Sequence, residues 1–257
     1  MTPLRRLRYS GPMRRLEFGW FLPTAGDTTA YGVADALVPP SLPLFDKVVE
    51  AAEAAGFEYM LVPVQTACWE AWISSAMMVA RSKSIRMLVA ARPSYINPVL
   101  LAKMIAAFDQ LSGGRICINL IAGQSEAENA SEGIKWGKEE RYEIMDEEVS
   151  ILKALWTQPK VSYHGDFYKL DNVGMVMKPV QKPHVPIWLG GDHPDAVRRA
   201  AKLGDAWMPS PMVSETDMAR FNALFRETRA AAGLPPAGGV PEVQQIETTR
   251  VAIRRFI

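Results

Sequence analysis

The chain has few cysteines and histidines, and this scarcity excludes two common kinds of site. Its 257 residues include two cysteines, Cys68 and Cys117, and three histidines. Two cysteines cannot build a framework of disulfides, which favours a reducing compartment over an extracellular one. The histidines have none of the spacings of metal ligands, and the sequence contains no HExxH or CxxC motif, so we expect no zinc site.

Strong net charge and long apolar runs are absent as well. The formal net charge of +1 gives no electrostatic attraction to nucleic acid or to an anionic membrane. No stretch approaches the roughly 18 apolar residues of a membrane span. The basic N-terminus lacks the apolar run of a signal peptide, and residues 1–12 are interpreted as an extension that precedes Met13. We therefore predict a cytoplasmic globular protein that binds neither nucleic acid nor membrane.

Strand-like and helix-like segments alternate along the rest of the chain. The strand-like segments are 15–22, 58–64, 85–91, 115–121, 185–189 and 205–209. Their near-continuous apolar character is typical of strands that are buried on both faces in a parallel sheet. Helical patterns fill the intervals at 43–55, 70–81, 98–111, 139–156, 194–203 and 214–232. Repeated βα units with no Gly-x-Gly-x-x-Gly after the first strand favour a (β/α)8 barrel over a doubly wound sheet.

The strand count falls short of a complete barrel. Six strands are clear, Glu242–Ile253 is a possible seventh, and no segment remains for an eighth. We therefore expect an α/β fold of the TIM (β/α)8 type that is incomplete at its C-terminal end, with two open edges. One domain is predicted over residues 13–257, with a turn-rich insertion at about 157–184 that contains short β-like pieces.

Polar residues follow several of the predicted strands. Pro23 ends the first strand, and Thr24 and Asp27 come soon after it. Parallel α/β proteins place ligands at the carboxyl ends of strands, although an ordinary polar loop remains an alternative. Gly190-Gly191 precedes a helix, an arrangement that favours a bound phosphate. The alternative is that Asp192 merely caps that helix.

Further candidates carry two interpretations each. Arg141 could bind a phosphate with two hydrogen bonds, whereas the glutamates around it favour a solvated helix face. Trp69 and Trp72 could wall a planar ring or pack the rim of the barrel. Cys117 lies inside an apolar strand and is interpreted as a small core residue.

Five segments resemble the bacterial-luciferase-like flavin monooxygenases. They are WFLPTAGD at 20–27, VPVQTACWEAW at 62–72, LVAARPSYINPVLLAKMIAAFDQLSGGRICINLIAGQ at 88–124, ERYE at 140–143 and WLGG at 188–191. Within that superfamily the chain most resembles the reduced-FMN-dependent alkanesulfonate monooxygenases, with dimethyl-sulfone and pyrimidine monooxygenases as near relatives. The resemblance runs from about residue 15 to 212, and the segment from DQLSGGR to the NL at 119–120 is highly specific for the superfamily.

The resemblance implies a TIM barrel that binds reduced FMN supplied by a separate NAD(P)H-dependent flavin reductase. In this family O2 adds to the flavin, and the resulting peroxyflavin attacks a sulfonate to give sulfite and an aldehyde. The implied substrate is an organosulfur compound, and the implied assembly is a homo-oligomer. Alternatives are an F420-dependent oxidoreductase on the same barrel, or a non-catalytic flavin-binding remnant of a truncated oxygenase.

The resemblance also implies site residues. The flavin contacts would be Pro63, Val64, Asn119 and Glu128, and the phosphate contacts would be Arg141, Tyr142, Gly191 and His193. His193 stands where the family often has serine, and an imidazole still donates to phosphate. Two catalytic residues are implied, Cys68 and Arg250. Cys68 has the alternative interpretation of a plain buried thiol. Arg250 stands in the place of an arginine of strand seven in the family. The family's mobile lid has no counterpart, so we expect uncoupled oxidation to hydrogen peroxide.

Overall fold

Parallel strands form the main sheet, and helices connect most of them. The computed structural model describes residues 17–28, 37–123, 125–210 and 212–235. The predicted strand Glu242–Ile253 and Arg250 lie outside these ranges. The strands of the described residues are β1 (Gly19–Phe21), β2 (Asp27–Thr28), β3 (Leu37–Val38), β4 (Tyr59–Val62), β5 (Arg86–Ala91), β6 (Ile116–Leu120), β7 (Lys160–His164), β8 (Lys169–Gly174), β9 (Ile187–Gly190) and β10 (Ala206–Met208). The helices are α1 (Leu42–Ala54), α2 (Ala71–Arg81), α3 (Pro98–Ser112), α4 (Glu126–Ser131), α5 (Lys138–Thr157), α6 (Pro194–Leu203) and α7 (Glu215–Ala231).

The strands of the main sheet lie side by side in chain order. The order is β1-β4-β5-β6-β9-β10, and every neighbouring pair is parallel. Within the described residues, β1 and β10 each pair with one neighbour, so the sheet is a half-barrel with two edges. The six clear predicted strands are confirmed, although β1 is shorter than its predicted span of 15–22.

The two faces of this sheet differ in what covers them. Side chains from α1, α2, α3, α5, α6 and α7 all join the sheet in one large apolar core. The opposite face holds a smaller cluster, which comes mainly from the strands and includes Tyr59, Leu88, Cys117, Trp188 and Ala206. Helices on one face of an all-parallel sheet are typical of a TIM-type barrel, whereas a doubly wound sheet has them on both. We call the second face the inner face.

The predicted helices are confirmed to within one residue at each end, and local signals explain this accuracy. Ser41, Asn97 and Ser214 accept hydrogen bonds from the first turns of α1, α3 and α7. Proline stands in the first turn of α1, α3 and α6, where it has no hydrogen bond to lose. α4 is an addition that the sequence did not predict. No helix that the structure describes is long and apolar enough to cross a lipid bilayer.

The motif DQLSGGR holds elements together. Asp109 is fully buried on α3, and its carboxylate accepts hydrogen bonds from the backbone N–H (3.0 Å) and side-chain amide (2.7 Å) of Gln181. Gly113 ends α3 in the left-handed conformation at φ +66°. The guanidinium of Arg115 donates to the carbonyl of Val79 at 2.8 Å. This segment of the resemblance is therefore structural, because it locks α3 to its neighbours.

The insertion at 157–184 contains an antiparallel hairpin formed by β7 and β8. Its turn is bound to α5 by one side chain. The carboxylate of Glu147 accepts hydrogen bonds from the backbone N–H groups of Asp166 (2.7 Å), Phe167 (3.3 Å) and Tyr168 (3.0 Å). Three donors on one carboxylate hold the hairpin firmly against the helix.

Candidate functional site

The loops that follow β1, β4, β5, β6, β9 and β10 lie at one end of the half-barrel. Parallel strands bring all their carboxyl ends to the same end, which is where barrels of this type hold their ligands. The loop after β1 is tied to the loop after β4, since the backbone N–H of Trp69 donates to the carbonyl of Thr24 at 2.9 Å. Thr24 is buried, and its hydroxyl has no hydrogen-bond partner among the described residues.

Asn119 lies on the inner face near the carboxyl end of β6. It pairs in register with Trp188 and follows Cys117 by two residues, and both neighbours belong to the inner cluster. Asn119 is 5% exposed, yet its side-chain oxygen is buried and accepts no hydrogen bond from the described residues. An unsatisfied buried acceptor costs about 1–3 kcal/mol. The position therefore fits a ligand ring that carries an N–H donor, as a flavin does.

Gly191 and Tyr142 form a small cradle at the end of β9. Gly191 has φ +144°, and a Cβ there would lie 2.5 Å from Cβ of Ala196 and 3.4 Å from the hydroxyl oxygen of Tyr142. Only glycine leaves this space open, directly before α6. Burial raises the pKa of Tyr142, which keeps its hydroxyl protonated as a donor. A helix N-terminus beside a hydroxyl donor fits a phosphate group. We call this place the Gly191–Tyr142 cradle.

The residues after Gly191 have roles that differ from one of the sequence interpretations. His193, not Asp192, is the N-cap of α6, and its Nδ1 accepts from the backbone N–H of Asp195 at 3.3 Å. The interpretation of Asp192 as the cap is therefore wrong. Asp192 instead accepts from the backbone N–H (2.9 Å) and the hydroxyl of Ser210, which ties β9 to the loop after β10. The imidazole of His193 is exposed, so it remains accessible to a phosphate at its other nitrogen.

Arg141 is buried at 1% exposure, so the interpretation of a solvated helix face is wrong for this residue. Its guanidinium donates to both carboxylate oxygens of Glu126, at 2.8 and 3.0 Å, and to the carbonyls of Ala122 and Trp136. Glu126 raises the pKa of Arg141, which in turn lowers the pKa of Glu126. The guanidinium that was predicted to bind phosphate therefore already binds the carboxylate of Glu126. A phosphate would reach it only by displacing Glu126.

Glu128 belongs to a cluster that the sequence did not predict. The buried guanidinium of Arg92 lies between Glu128 (2.9 Å) and Glu132 (2.9 Å). Glu128 also accepts from the backbone N–H of Thr66, and Glu132 accepts from the hydroxyl of Tyr95. We call these five residues the Arg92 cluster. It ties α4 to the loops after β4 and β5, and it engages Glu128 in protein contacts rather than leaving it open to a flavin.

The remaining candidates lie in or beside the loop after β4. Pro63 and Val64 are half-buried, and the carbonyl of Val64 accepts from Arg92 at 3.2 Å. Cys68 is a half-buried free thiol. Trp72 is buried in the main core. Trp69 is 48% exposed and packs edge-on against Phe45 at 5.4 Å between ring centroids. Of the two cysteines, the prediction for Cys117 is confirmed, because this thiol is buried in the inner cluster, and burial raises its pKa to about 12.

A family model described as luciferase-like monooxygenase matches residues 16–255. The chain belongs to the luciferase-like monooxygenase family. The described residues contain no group of three or more His, Cys, Asp or Glu side chains placed to hold a metal ion.

Solved structures share the fold of this luciferase-like chain at low sequence identity. Monooxygenase RslO1 from Streptomyces bottropensis is 19% identical, with a TM-score of 0.71 over 94% of this chain and 80% of its own. EDTA monooxygenase (EmoA) from Chelativorans sp. BNC1 is 19% identical, with a TM-score of 0.74 over 88% and 63%. The coenzyme F420-dependent tetrahydromethanopterin reductase from Methanopyrus kandleri is 17% identical, with a TM-score of 0.66 over 85% and 62%. The chain thus spans less than two thirds of the length of the last two.

Sequence reasoning missed the role of Arg92 and the presence of α4. One local signal was available, since Ser125 stands three residues before Glu128 and its hydroxyl accepts from the Glu128 backbone N–H at 3.1 Å. No local motif indicates the contacts of Glu132, because its partners Arg92 and Tyr95 are about forty positions away in the chain. Among the expected flavin residues of this luciferase-like chain, Asn119 keeps an unpartnered oxygen, and Tyr142 and Gly191 form the cradle. Arg250 lies outside the described residues.

Proposed function

We propose that the chain is a flavin-dependent monooxygenase that uses reduced FMN and O2 to oxidise an organosulfur compound. One arrangement carries the proposal. The unpartnered oxygen of Asn119 on β6 and the hydroxyl of Tyr142 on α5 both lie beside the Gly190-Gly191 turn at the end of β9. A Cβ on Gly190 would lie 4.0 Å from that oxygen, and one on Gly191 would lie 3.4 Å from the Tyr142 hydroxyl. The first group suits a ring N–H and the second a phosphate.

The protein groups have separate tasks in this proposal. When bound, reduced FMN supplies the electrons that activate O2. Asn119 accepts a hydrogen bond from the ring, and Tyr142 donates one to the phosphate. The apolar inner face, with Leu88, Trp188 and Ala206 beneath the site, excludes water. Exclusion of water would limit side reactions of a bound reduced flavin.

A sulfonate substrate is the finer part of the proposal. Sulfonates are anions and need a cationic partner in a site that excludes water. Arg92 and Arg141 are each bound to glutamate, so neither presents a free charge at the strand ends. From the family resemblance we propose Arg250 as the sulfonate partner and Cys68 as a weak polar contact beside the flavin. Replacing Arg250 with alanine should abolish sulfite release without changing FMN affinity. Arg220→Ala is the matched control at an exposed arginine, and it should change neither quantity.

The direct test uses purified chain, a flavin reductase with NAD(P)H, O2 and octanesulfonate. Sulfite release supports the alkanesulfonate proposal, and hydrogen peroxide without sulfite indicates uncoupled oxidation or another substrate. FMN binding with neither product would favour a non-catalytic flavin-binding protein. Size measurement in the same preparation tests the proposed homo-oligomer, and pull-down of the reductase tests that partnership.

One observation favours a second candidate. The Methanopyrus kandleri neighbour is F420-dependent by its description, and its fold is shared. F420 also carries a ring with an N–H donor and a phosphate, so the same two positions would suit it. We therefore keep an F420-dependent oxidoreductase as the alternative, and parallel titration with both cofactors separates the two.

A further inference from the structure

The ion pair of Glu126 and Arg141 joins a fixed cation to a movable carboxylate. Glu126, in the first turn of α4, accepts hydrogen bonds from Nη2 (2.8 Å) and Nη1 (3.0 Å) of Arg141. The guanidinium is buried, whereas 62% of the Glu126 side chain is exposed. An exposed carboxylate can turn into water at little cost, because water solvates its charge. The proposed function gives Glu126 no task.

The guanidinium of Arg141 has anchors that do not depend on Glu126. Its Nε donates to the carbonyl of Ala122 at 2.6 Å, and its Nη1 donates to the carbonyl of Trp136 at 2.8 Å. An arginine has five N–H donors in a rigid plane, so these two bonds leave three donors, of which Glu126 uses two. If Glu126 moves away, the same donors stay in place and need another anion, since an unpaired buried charge is costly.

This guanidinium lies at the same end of the half-barrel as the Gly191–Tyr142 cradle. Its anchor Ala122 comes two residues after β6, and β6 pairs with β9, whose end carries the cradle. Burial raises the pKa of Tyr142, and the charges of Arg199 and Arg141 partly oppose this rise. The charge of Arg141 therefore acts on the hydroxyl that we assign to a phosphate.

The chemistry of the pair favours exchange for a phosphate group. Phosphate oxygens match the paired donors of a guanidinium, and a phosphate monoester carries a charge of about −1.5 to −2 at pH 7. Glu126 offers a single charge, so a phosphate has the advantage. A sulfonate also carries a single charge and has no such advantage.

We propose that the Glu126–Arg141 pair is an autoinhibitory contact: the Glu126 carboxylate occupies the guanidinium until a phosphate group displaces it. Only the Glu126 side chain needs to move, because Glu128 and Glu132 hold α4 to Arg92 independently. For the phosphate of a flavin the inference rests on the proposed function, whereas inorganic phosphate tests the displacement without any flavin.

The test is calorimetric titration of the full chain with inorganic phosphate at constant ionic strength. We expect Glu126→Ala to bind phosphate about tenfold more tightly than wild type, because the competing carboxylate is gone. Glu139→Ala is the matched control, since Glu139 is an exposed acid two positions before Arg141 and its loss changes the net charge equally. It should tighten phosphate binding by less than about twofold. If Glu126→Ala does not fold, Glu126→Gln, which removes only the charge, takes its place with the same expectation.

The proposal is overturned if the Glu126 variant binds phosphate no more tightly than Glu139→Ala does. Parallel titrations with FMN and riboflavin identify the source of the phosphate. The Glu126 variant should gain the same factor for FMN and nothing for riboflavin, which has no phosphate. A gain for inorganic phosphate without a gain for FMN would refute the flavin phosphate as the displacing group. A chain that binds no flavin refutes the proposed function, and the phosphate titration still decides whether Glu126 is displaced.

Discussion

At the scale of single residues, the Gly191–Tyr142 cradle and Asn119 are proposed to bind different ends of a flavin, the cradle its phosphate and Asn119 its ring. The distinction has chemical content because FMN carries a phosphate and riboflavin does not. In the proposed site the tyrosine hydroxyl and the start of α6 would bind the phosphate, and the asparagine oxygen would accept a hydrogen bond from the ring. Variants at these positions should therefore differ in their selectivity between the two flavins.

Tyr142→Phe removes the hydroxyl and leaves the ring under the guanidinium of Arg199, which lies 4.7 Å from its centroid. We expect about ten- to a hundredfold weaker FMN binding, since a hydrogen bond to a charged group is lost. Riboflavin affinity should not change. Tyr163→Phe, on the hairpin, is the control for loss of a tyrosine hydroxyl. Fluorescence quenching of both oxidised flavins measures the effect, and equal weakening of FMN and riboflavin would refute the assignment.

Gly191→Ala should close the cradle. Its Cβ would lie 2.5 Å from Cβ of Ala196, at a backbone φ of +144°. We expect a loss of about 2 kcal/mol in stability and FMN binding too weak to measure by the same titration. Gly233→Ala is a matched control, because Gly233 also has a positive φ (+66°) but a Cβ there meets nothing within 4 Å. If both variants bind FMN equally well, the cradle is not the phosphate site.

At the scale of secondary structure, the sequence predicted what local patterns determine. The strands have continuous apolar runs, and the helices have caps and prolines at their ends, so both were found. α4 has six residues and no apolar periodicity, and it is held by contacts of Glu128 and Glu132 to distant loops. Arg141 sits among exposed glutamates, and its burial depends on Glu126 fifteen positions away. Such long-range pairs leave no local pattern to recognise.

The Arg92 cluster should act as the clamp of α4. Arg92→Lys keeps the charge but loses the fork that bonds Glu128, Glu132 and the carbonyl of Val64 together. We expect the free energy of unfolding to fall by about 2 kcal/mol. The exposed pair of Arg220 and Asp217 provides the control, since Arg220→Lys should change stability by less than about 0.5 kcal/mol. Urea denaturation compares the two, and similar effects would show that the cluster is not a clamp.

At the scale of the whole molecule, the half-barrel was predictable from strand count and the absence of a dinucleotide motif. What the sequence could not show is how the strand-end loops are tied together. Those ties depend on contacts between elements, such as Thr24 with Trp69 and Asp192 with Ser210. They decide which of the expected flavin residues remain open.

The free energy of unfolding should depend on pH because of Glu148, a buried carboxyl group on α5. Its pKa is about 7 in the folded chain against 4.5 when exposed, so the folded state binds the proton more tightly. Its contribution to stability is therefore greatest below about pH 4.5 and declines by about 3 kcal/mol as pH rises to about 7. Glu148→Gln should gain stability relative to wild type across that range. Urea denaturation at several pH values measures the difference, and a constant difference from pH 5 to 8 would contradict a raised pKa.

The central claim is that this member of the luciferase-like family binds reduced FMN at the strand-end face. The most direct measurement is anaerobic titration of the purified chain with reduced FMN and, in parallel, with reduced F420. We expect saturable binding of reduced FMN that Gly191→Ala abolishes and Gly233→Ala does not. Binding of F420 alone, or FMN binding that is indifferent to Gly191→Ala, would contradict it.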